Sequence, residues 1–243
     1  MDTIIQILAR ELGRSEAHVE NVVRLIDEGN TIPFIARYRK ELHGAMDDTA
    51  LRTLADRLQY LRNLDKRREE VKSAIEGQGK LTEELSAAID AAATLAEVED
   101  LYRPYKQKRR TRATVAREKG LEPLAELLFA QAADGPAPEE AAGAFVDPEK
   151  GVETAEDALQ GASDIIAERI SDDADIRKRL RELVWKKGSL VSAAAAKEPE
   201  DTVYRLYYAF RSPLNRVQGH QVLAINRGER EGVLKVSVEM DRE

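Results

Sequence analysis

The chain has 243 residues, which is enough for one large domain or two ordinary domains with a hydrophobic core. Its formal net charge is −7, and its hydrophobic content of 42% with only 5% aromatic residues is typical of mainly helical proteins. The lack of cysteine excludes disulfides, thiol nucleophiles and thiolate metal sites. The longest stretch without a charged side chain, residues 217–226, is too short to cross a bilayer, and residues 1–4 do not open a secretory signal. We therefore expect a soluble, cytoplasmic protein without membrane contact.

Apolar residues that recur every three or four positions predict three short helices within residues 1–45, separated by tight turns. The third of these helices is predicted to begin at Thr31 and to direct Phe34, Ile35 and Tyr38 inward. Three short helices joined in this way make a helix-turn-helix-like unit. Many such units pack only against protein, so the pattern by itself does not predict DNA binding.

A long helix is predicted over residues 48–76, because leucines recur there every three or four positions. Thr94 and Glu97 fit a capping box in front of another helix. The clearest linker is residues 133–138, where alanine, aspartate, glycine and proline cluster. Further helices are predicted at residues 81–89, 95–101, 120–133, 154–170 and 173–187.

The last segment of the chain changes in character. Residues 202–211 carry four aromatic side chains and indicate a helix, and residues 217–232 favour a short helix that ends at Gly228. Alternating apolar and polar residues then predict a strand over residues 233–238. No partner for this strand is evident, so we expect the segment to be less well ordered or to borrow contacts from a neighbour.

These elements together predict an all-α, multi-helix scaffold with helix-turn-helix-like units and one short strand near the C-terminus. The helical region is expected over residues 1–198, with the basic motif at residues 103–117 inside it. Residues 199–243 are expected to be the truncated start of a following domain, so that the chain would be a fragment of a longer protein.

The most informative stretch is residues 103–117, which hold seven cations and no acid in a chain whose net charge is −7. Pro104 prevents a helix from continuing through its start, and Tyr102 and Tyr105 stand beside its first cations. Lysine and arginine next to aromatic rings suit a phosphate backbone with unpaired bases. The run therefore suggests contact with nucleic acid, although such runs are also commonly solvated surface or partners of the protein's own acidic helices.

Three stretches together resemble the N-terminal region of one family. They read GNTIPFIARYRKE at residues 29–41, LAEVEDLYRPYKQKRRTRA at residues 95–113 and GHQVLAINRGE at residues 219–229. In order and spacing they are similar to Tex, the family of bacterial transcription accessory proteins that is related to a eukaryotic elongation factor. The resemblance covers essentially the whole chain.

The resemblance implies a helical N-terminal region, followed in the longer protein by an RNase H-type nuclease-like domain, helix-hairpin-helix elements and an S1 RNA-binding domain. None of these later domains is in the present sequence. A role linked to nucleic acid and transcription is implied as well. Because the S1 domain is thought to supply much of the affinity in this family, binding by the present chain alone is expected to be weak.

Nine cations are the candidate nucleic-acid-binding residues, three on the predicted third helix and six in the basic run. They are Arg37, Arg39, Lys40, Arg103, Lys106, Lys108, Arg109, Arg110 and Arg112. The three on the helix either extend a basic groove or pair with Glu41 and the acidic helices, and the sequence leaves both readings open. The sequence also does not distinguish RNA from DNA.

Catalysis has little support in the sequence. Glu97, Glu99 and Asp100 crowd within four residues, which invites a metal-dependent nuclease interpretation, yet Glu97 already has a capping role and no histidine joins them. There is no Walker-type phosphate loop and no serine-centred elbow. We expect no catalytic residue, no metal and no cofactor.

The sequence therefore predicts a non-catalytic, nucleic-acid-associated N-terminal scaffold of a Tex-like transcription accessory protein, acting in transcription regulation. The alternative is a protein–protein interaction platform that docks on transcription or translation machinery, with a structural basic run. The expected partners are RNA or DNA, bound weakly, together with the transcription machinery and the remaining domains of the full-length protein. A third class, a nuclease, would require turnover that depends on a divalent metal.

Overall fold

The computed structural model describes residues 3–132, 135–196 and 201–240. They form two compact units, Met1–Lys108 and Arg109–Glu243. The structure is 66% helical, with a small antiparallel sheet in the second unit, so the predicted helical scaffold is confirmed. Residues 133–134 of the predicted linker, and the domain boundary predicted between residues 198 and 199, lie outside the described residues.

Six helices make up the described part of the first unit, followed by a 3₁₀ turn at Arg103–Tyr105. The three short helices and the long fourth helix confirm the elements predicted within residues 1–45 and 48–76, but the third helix ends at Tyr38, so Arg39 and Lys40 follow this helix and do not lie on it as predicted. Side-chain caps define several starts: Ser15 accepts a hydrogen bond from the N–H of His18 at the start of the second helix. The helices are α1 (Ile4–Leu12), α2 (Glu16–Asp27), α3 (Ile32–Tyr38), α4 (Asp48–Glu76), α5 (Glu83–Ala91) and α6 (Leu95–Tyr102).

The long helix α4 organises the first unit, because its apolar stripe supports two core clusters in succession. Leu51, Leu54, Leu58 and Leu61, in its first half, pack with buried side chains of α1, α2 and α3. Its second half packs with α5 and α6 through Leu64, Val71, Ile75, Ile89 and Val98. A single helix of 29 residues therefore carries the leucine periodicity into both clusters.

The orientation of α3 differs from the prediction for Phe34 and Tyr38. Ile35 is fully buried, as predicted, whereas Phe34 is 37% exposed and Tyr38 is 57% exposed. The reason is that α3 has only seven residues, and its narrow contact with the core is taken by Ile32, Ile35 and Ala36. Residues 34 and 38 are one turn apart, so they share a neighbouring face of the helix that is open to solvent.

The second unit has a helical part centred on α10. Small residues let α7, α8 and α9 approach this helix closely. A Cβ added at Gly161 of α10 would lie 2.3 Å from Leu121 Cδ1, so only glycine fits there without rearrangement. The helices of the described part are α7 (Arg112–Glu118), α8 (Glu122–Ala130), α9 (Pro138–Gly143), α10 (Ala155–Asp172), α11 (Ala174–Lys187) and α12 (Gly219–Arg230).

A three-stranded antiparallel sheet completes this unit. Its strands are β1 (Ser189–Ala194), β2 (Ala209–Pro213) and β3 (Leu234–Glu239), in the order β2-β1-β3. In the register of the sheet, Leu190 faces Ser212 of β2 and Val238 of β3. The strand predicted at residues 233–238 is confirmed, but the prediction that it lacks a partner is wrong, because β1 pairs with it along its length.

The helix predicted over residues 202–211 is also wrong. The segment forms only a 3₁₀ turn at Arg205–Tyr207 and then enters β2. Its aromatic side chains recur at helical spacing, but hydrogen bonding with β1 and burial of Tyr204 satisfy the segment instead. The short helix predicted within residues 217–232 is confirmed as α12, although it ends at Arg230, two residues beyond the predicted Gly228.

Helix α12 packs against β3. Ile225 of the helix and Leu234 of β3 are both buried. A Cβ at Gly228 would lie 2.7 Å from Leu234 Cδ1, so the glycine marks a close approach rather than the end of the helix. The Tyr204 hydroxyl donates a hydrogen bond to Glu231 at 2.8 Å, which ties the segment before β2 to the end of α12.

Candidate nucleic-acid interface

The basic run, residues 103–117, crosses the boundary between the two units, with residues 103–108 in the first and residues 109–117 in the second. In the first unit the run passes through the 3₁₀ turn, where Lys106 forms an ion pair with Glu99 of α6. Glu99 also accepts a hydrogen bond from Arg67 of α4 at 2.6 Å. Both cations lie over the ring of Tyr102, at 5.5 Å for Arg67 and 5.3 Å for Lys106.

This cluster neutralises the charge of Lys106. The hydrogen bond from Arg67, supported by that from Lys106, holds the pKa of Glu99 below its usual value, so the carboxylate is ionised at neutral pH. Arg103 and Lys108 are exposed. The first part of the run therefore presents less positive charge to solvent than its sequence suggests.

The part of the run in the second unit is paired with acids as well. Arg110 donates to Glu118 at 2.7 Å, and Arg112, which is 86% exposed, lies 3.8 Å from Asp164. Arg110 and Arg112 line an open cleft of about 560 Å³ that also contains Asp157 and Asp164. The cleft thus combines both signs of charge.

Arg117 is the most embedded cation of the run. It donates to Glu168 of α10 at 2.7 Å and lies 3.4 Å from Glu122, and the hydrogen bond to Glu168 raises the pKa of Arg117. Thr111 caps the start of α7 and donates to the same Glu168 at 3.0 Å. Glu168 therefore holds the first turn of α7 and its last arginine against α10.

Arg109 differs from its neighbours in the run. It is exposed, and within residues 3–132, 135–196 and 201–240 its side chain makes neither a hydrogen bond nor an ion pair. Of the run's candidates, Lys106 and Arg110 are thus paired with acids, Arg112 lies near one, and Arg109 faces solvent. The structure does not gather the run into one continuous cationic surface within either unit.

A second group of cations lies in the first unit, at and just after the end of α3. We define the α3 patch as the five exposed residues Phe34, Arg37, Tyr38, Arg39 and Lys40. The two ring centroids are 5.2 Å apart with an angle of 46° between the ring planes. Arg37 lies over the Tyr38 ring at 5.9 Å, and Arg39 lies over the Phe34 ring at 5.7 Å.

The charges of the α3 patch are not neutralised locally. Over the part of the chain that the structure describes, Arg37, Arg39 and Lys40 have no ion pair with an acidic side chain. The adjacent Glu41 does not pair with any of them either. Sequence reasoning named these three cations but placed the two rings in the core. The spacing of Phe34 and Tyr38 puts both rings on one face of the helix, but it does not reveal that this face is open to solvent.

The acids that suggested a metal site have other roles. Thr94 accepts the N–H of Glu97 at 3.2 Å, as predicted, but the Glu97 carboxylate accepts the N–H of Ala93 at 2.7 Å, so only the Thr94 half of the predicted capping box is formed. Glu99 binds Arg67 and Lys106, and Asp100 is buried. Within the described ranges, no three histidine or acidic side chains are grouped so that they could hold a metal ion. No helix described here is long and apolar enough to cross a membrane.

Both units match known protein families. The Tex-like protein N-terminal domain matches residues 2–76, which include the α3 patch, and the Tex central region-like family matches residues 134–243. The basic run lies between the two matched ranges. The fold and these matches define a mainly helical chain of the Tex N-terminal and central type.

Named relatives are similar over nearly the whole chain. It is 46% identical to "Protein tex" of Bordetella pertussis over 98% of its length and 41% identical to "Transcriptional accessory protein Tex" of Neisseria gonorrhoeae over 97%. A human relative, "S1 RNA-binding domain-containing protein 1", is 32% identical over 97% of the chain. The chain spans 30%, 31% and 24% of these relatives, in that order. It belongs to the Tex family of transcription accessory proteins.

Proposed function

We propose that this chain is a non-catalytic, cytoplasmic scaffold that brings nucleic acid to a Tex-like transcription accessory protein. The observation that carries the proposal is a set of three exposed cations, Arg37, Arg39 and Lys40, that have no acidic partner among the described residues, in a chain of net charge −7. Arg109 adds a further such cation in the second unit. The names of the relatives, which refer to transcription and to an S1 RNA-binding domain, support the same role.

The affinity of the chain alone follows from its charges. Each cation that meets a phosphate releases a condensed counterion, so binding falls steeply as salt rises. The acidic remainder of the chain opposes this attraction at long range, and only local patches attract the polymer. We expect dissociation constants in the non-specific range, about 10⁻⁴ to 10⁻⁶ M near physiological salt.

The experiment is a fluorescence anisotropy titration of the 243-residue chain with single-stranded RNA and DNA. It is run at about 50 mM and about 200 mM salt, with and without magnesium. We expect weak binding that fades between the two salt concentrations, and intact oligonucleotide in every sample. Absence of binding at the lower salt would overturn the nucleic-acid role, and a cut product that needs magnesium would overturn the non-catalytic role.

A second candidate function, a protein-interaction platform, is favoured by helix α11. None of its residues is buried, and Leu180, Leu183 and Trp185 are exposed. Exposed large apolar side chains on one helix are typical of surfaces that contact protein. Pull-down of transcription or translation machinery that persists at high salt, combined with no binding to nucleic acid, would favour this function, because apolar contacts do not release counterions.

A further inference from the structure

The α3 patch has aromatic faces in addition to charge. Phe34 and Tyr38 stand one turn apart, and both rings reach solvent although the core contact of α3 is made by other residues. The 5.2 Å between their centroids is less than the roughly 7 Å that an inserted base needs, which is twice the 3.4 Å rise per base. A base therefore stacks on the outward face of a ring and not between the two rings.

The cations of the patch are placed around these faces. Arg37 and Arg39 contact the rings of Tyr38 and Phe34, and Lys40 follows directly. Guanidinium groups without an acidic partner remain available to a phosphate. Exposed aromatic rings with cations close to them are an arrangement by which proteins hold single strands, because every base has a face and every nucleotide has a phosphate.

The site around Phe129 is a control within the same chain, because it has an exposed ring and a cation but lacks the unpaired charge of the α3 patch. Phe129 of α8 is 41% exposed, and the guanidinium of Arg169 lies 4.2 Å from its ring centroid. Arg169, however, donates to both carboxylate oxygens of Glu126, at 3.0 and 3.1 Å. The Phe129 site thus has a similar ring and cation, but an acid neutralises its charge.

We propose that the α3 patch is a binding platform for single-stranded nucleic acid. Unpaired bases stack on Phe34 and Tyr38, while Arg37, Arg39 and Lys40 contact the flanking phosphates. This inference rests on the proposed function and narrows it, because a duplex hides the base faces that the rings require. The platform binds single strands more tightly than duplex and has little preference for sequence.

The test compares two oligonucleotides that have the same phosphates. One is an oligothymidylate of about 12 nucleotides, within the usual site sizes, and the other is its abasic counterpart. The wild-type chain is expected to bind the base-bearing strand about tenfold more tightly. The variant Phe34→Leu with Tyr38→Leu keeps apolar volume but removes the aromatic faces, so it loses this preference and keeps its salt dependence.

Two further variants separate stacking from charge. Changing Arg37, Arg39 and Lys40 to glutamine reduces the slope of log affinity against log salt by about two units, since each single-strand contact contributes about 0.7. The control Phe129→Leu leaves both the base preference and the slope unchanged. Melting curves check the folding of all variants; if the double leucine variant is unfolded, Tyr38→Leu alone replaces it, because Tyr38 is the more exposed ring.

A fluorescence measurement that reports stacking directly completes the test. A 2-aminopurine base in the oligonucleotide is quenched when it stacks on an aromatic ring, and we expect quenching that is lost in the leucine variant. Equal binding of the base-bearing and abasic strands by the wild type, or an unchanged preference in the folded leucine variant, overturns the platform but leaves the proposed function intact. No binding of either strand at low salt overturns both.

Discussion

The basic run and the α3 patch differ in what surrounds their cations. The run holds seven cations within fifteen residues, yet Lys106, Arg110 and Arg117 each bind an acidic side chain. The α3 patch holds only three cations, and no acid in the described ranges pairs with them. The comparison shows that charge density along a sequence is a poor measure of the charge that a folded surface offers.

The acids that pair with the run come from several distances along the chain. Glu118 lies eight residues from Arg110, whereas Glu168 lies 51 residues from Arg117. Exposed pairs of this kind stabilise a fold by only about 0 to 1 kcal/mol each. Their larger consequence is electrostatic, because each pair cancels a positive charge that would otherwise attract phosphate.

The largest expected effect is the reversal of charge in the α3 patch. Arg37→Glu with Arg39→Glu should weaken binding of single-stranded nucleic acid by at least about tenfold at low salt, because two phosphate contacts become repulsive. Anisotropy titration measures the loss of affinity, and circular dichroism checks the fold. We expect an intact fold because both substituted side chains are exposed. Unchanged affinity in the folded variant would show that the patch does not contact nucleic acid.

A smaller effect is expected in the run. Arg109→Glu with Arg110→Glu should weaken binding of single-stranded nucleic acid by the full-length protein about threefold and flatten the salt slope by about 0.7 unit for each lost contact. Arg109 faces solvent, whereas Arg110 is already paired with Glu118. If this variant lost more affinity than the α3 variant in the same protein, the run would contribute more to nucleic-acid binding than the α3 patch.

Removal of an acid should act in the opposite direction. Glu99→Gln releases Lys106 and Arg67 from their shared carboxylate, so we expect affinity for nucleic acid to rise about twofold at low salt. Titration of wild type and variant side by side measures the ratio. Lower or equal affinity would indicate that Lys106 does not reach the nucleic acid even when its acid is removed.

The same substitution has a defined pH dependence. The pKa of Glu99 is lower in the folded chain than its usual 4.5, so this carboxylate stabilises the fold above that value and the contribution is lost as pH falls through the folded pKa. Wild type should therefore exceed the variant by about 0.5 kcal/mol in free energy of unfolding at neutral pH, and the difference should vanish in acid. Denaturant unfolding at neutral and acidic pH measures both; a constant difference would exclude ionisation as its cause.

The sequence was sufficient for the features that depend on local pattern. Leucine periodicity predicted α4, and Ser15 and Thr94 marked helix starts that the structure confirms. Features that depend on distant partners were missed. Strand β1 was not predicted, because its pairing with β3 joins residues more than 40 positions apart, such as Leu190 and Val238.

The candidate site shows the same division. The cations could be named from the sequence, but their ion pairs could not, since helix packing brings Glu168 to Arg117. The rings of α3 were misplaced for a related reason: a pattern of apolar residues does not reveal which of two neighbouring faces the core of the unit covers. Ile35 and Phe34 are adjacent in sequence, yet only Ile35 is buried.

The smallest expected effect on binding is at Arg117, whose role we infer to be structural. Its side chain is 35% exposed, and that of its partner Glu168 is only 15% exposed, so the pair is better shielded than the others of the run. Arg117→Gln weakens the hold of α10 on α7 and should lower the free energy of unfolding by about 1 kcal/mol. Affinity for nucleic acid should stay within about a factor of two, because this charge is already neutralised.

The matched control for Arg117 is Arg112→Gln, at the other end of α7. Arg112 is 86% exposed and 3.8 Å from Asp164, so its removal should change the free energy of unfolding by no more than about 0.5 kcal/mol. Chemical denaturation of both variants measures the contrast. If Arg117→Gln were as stable as wild type and lost nucleic-acid binding, Arg117 would belong to the interface, and ion pairing would not be the property that separates the run from the α3 patch.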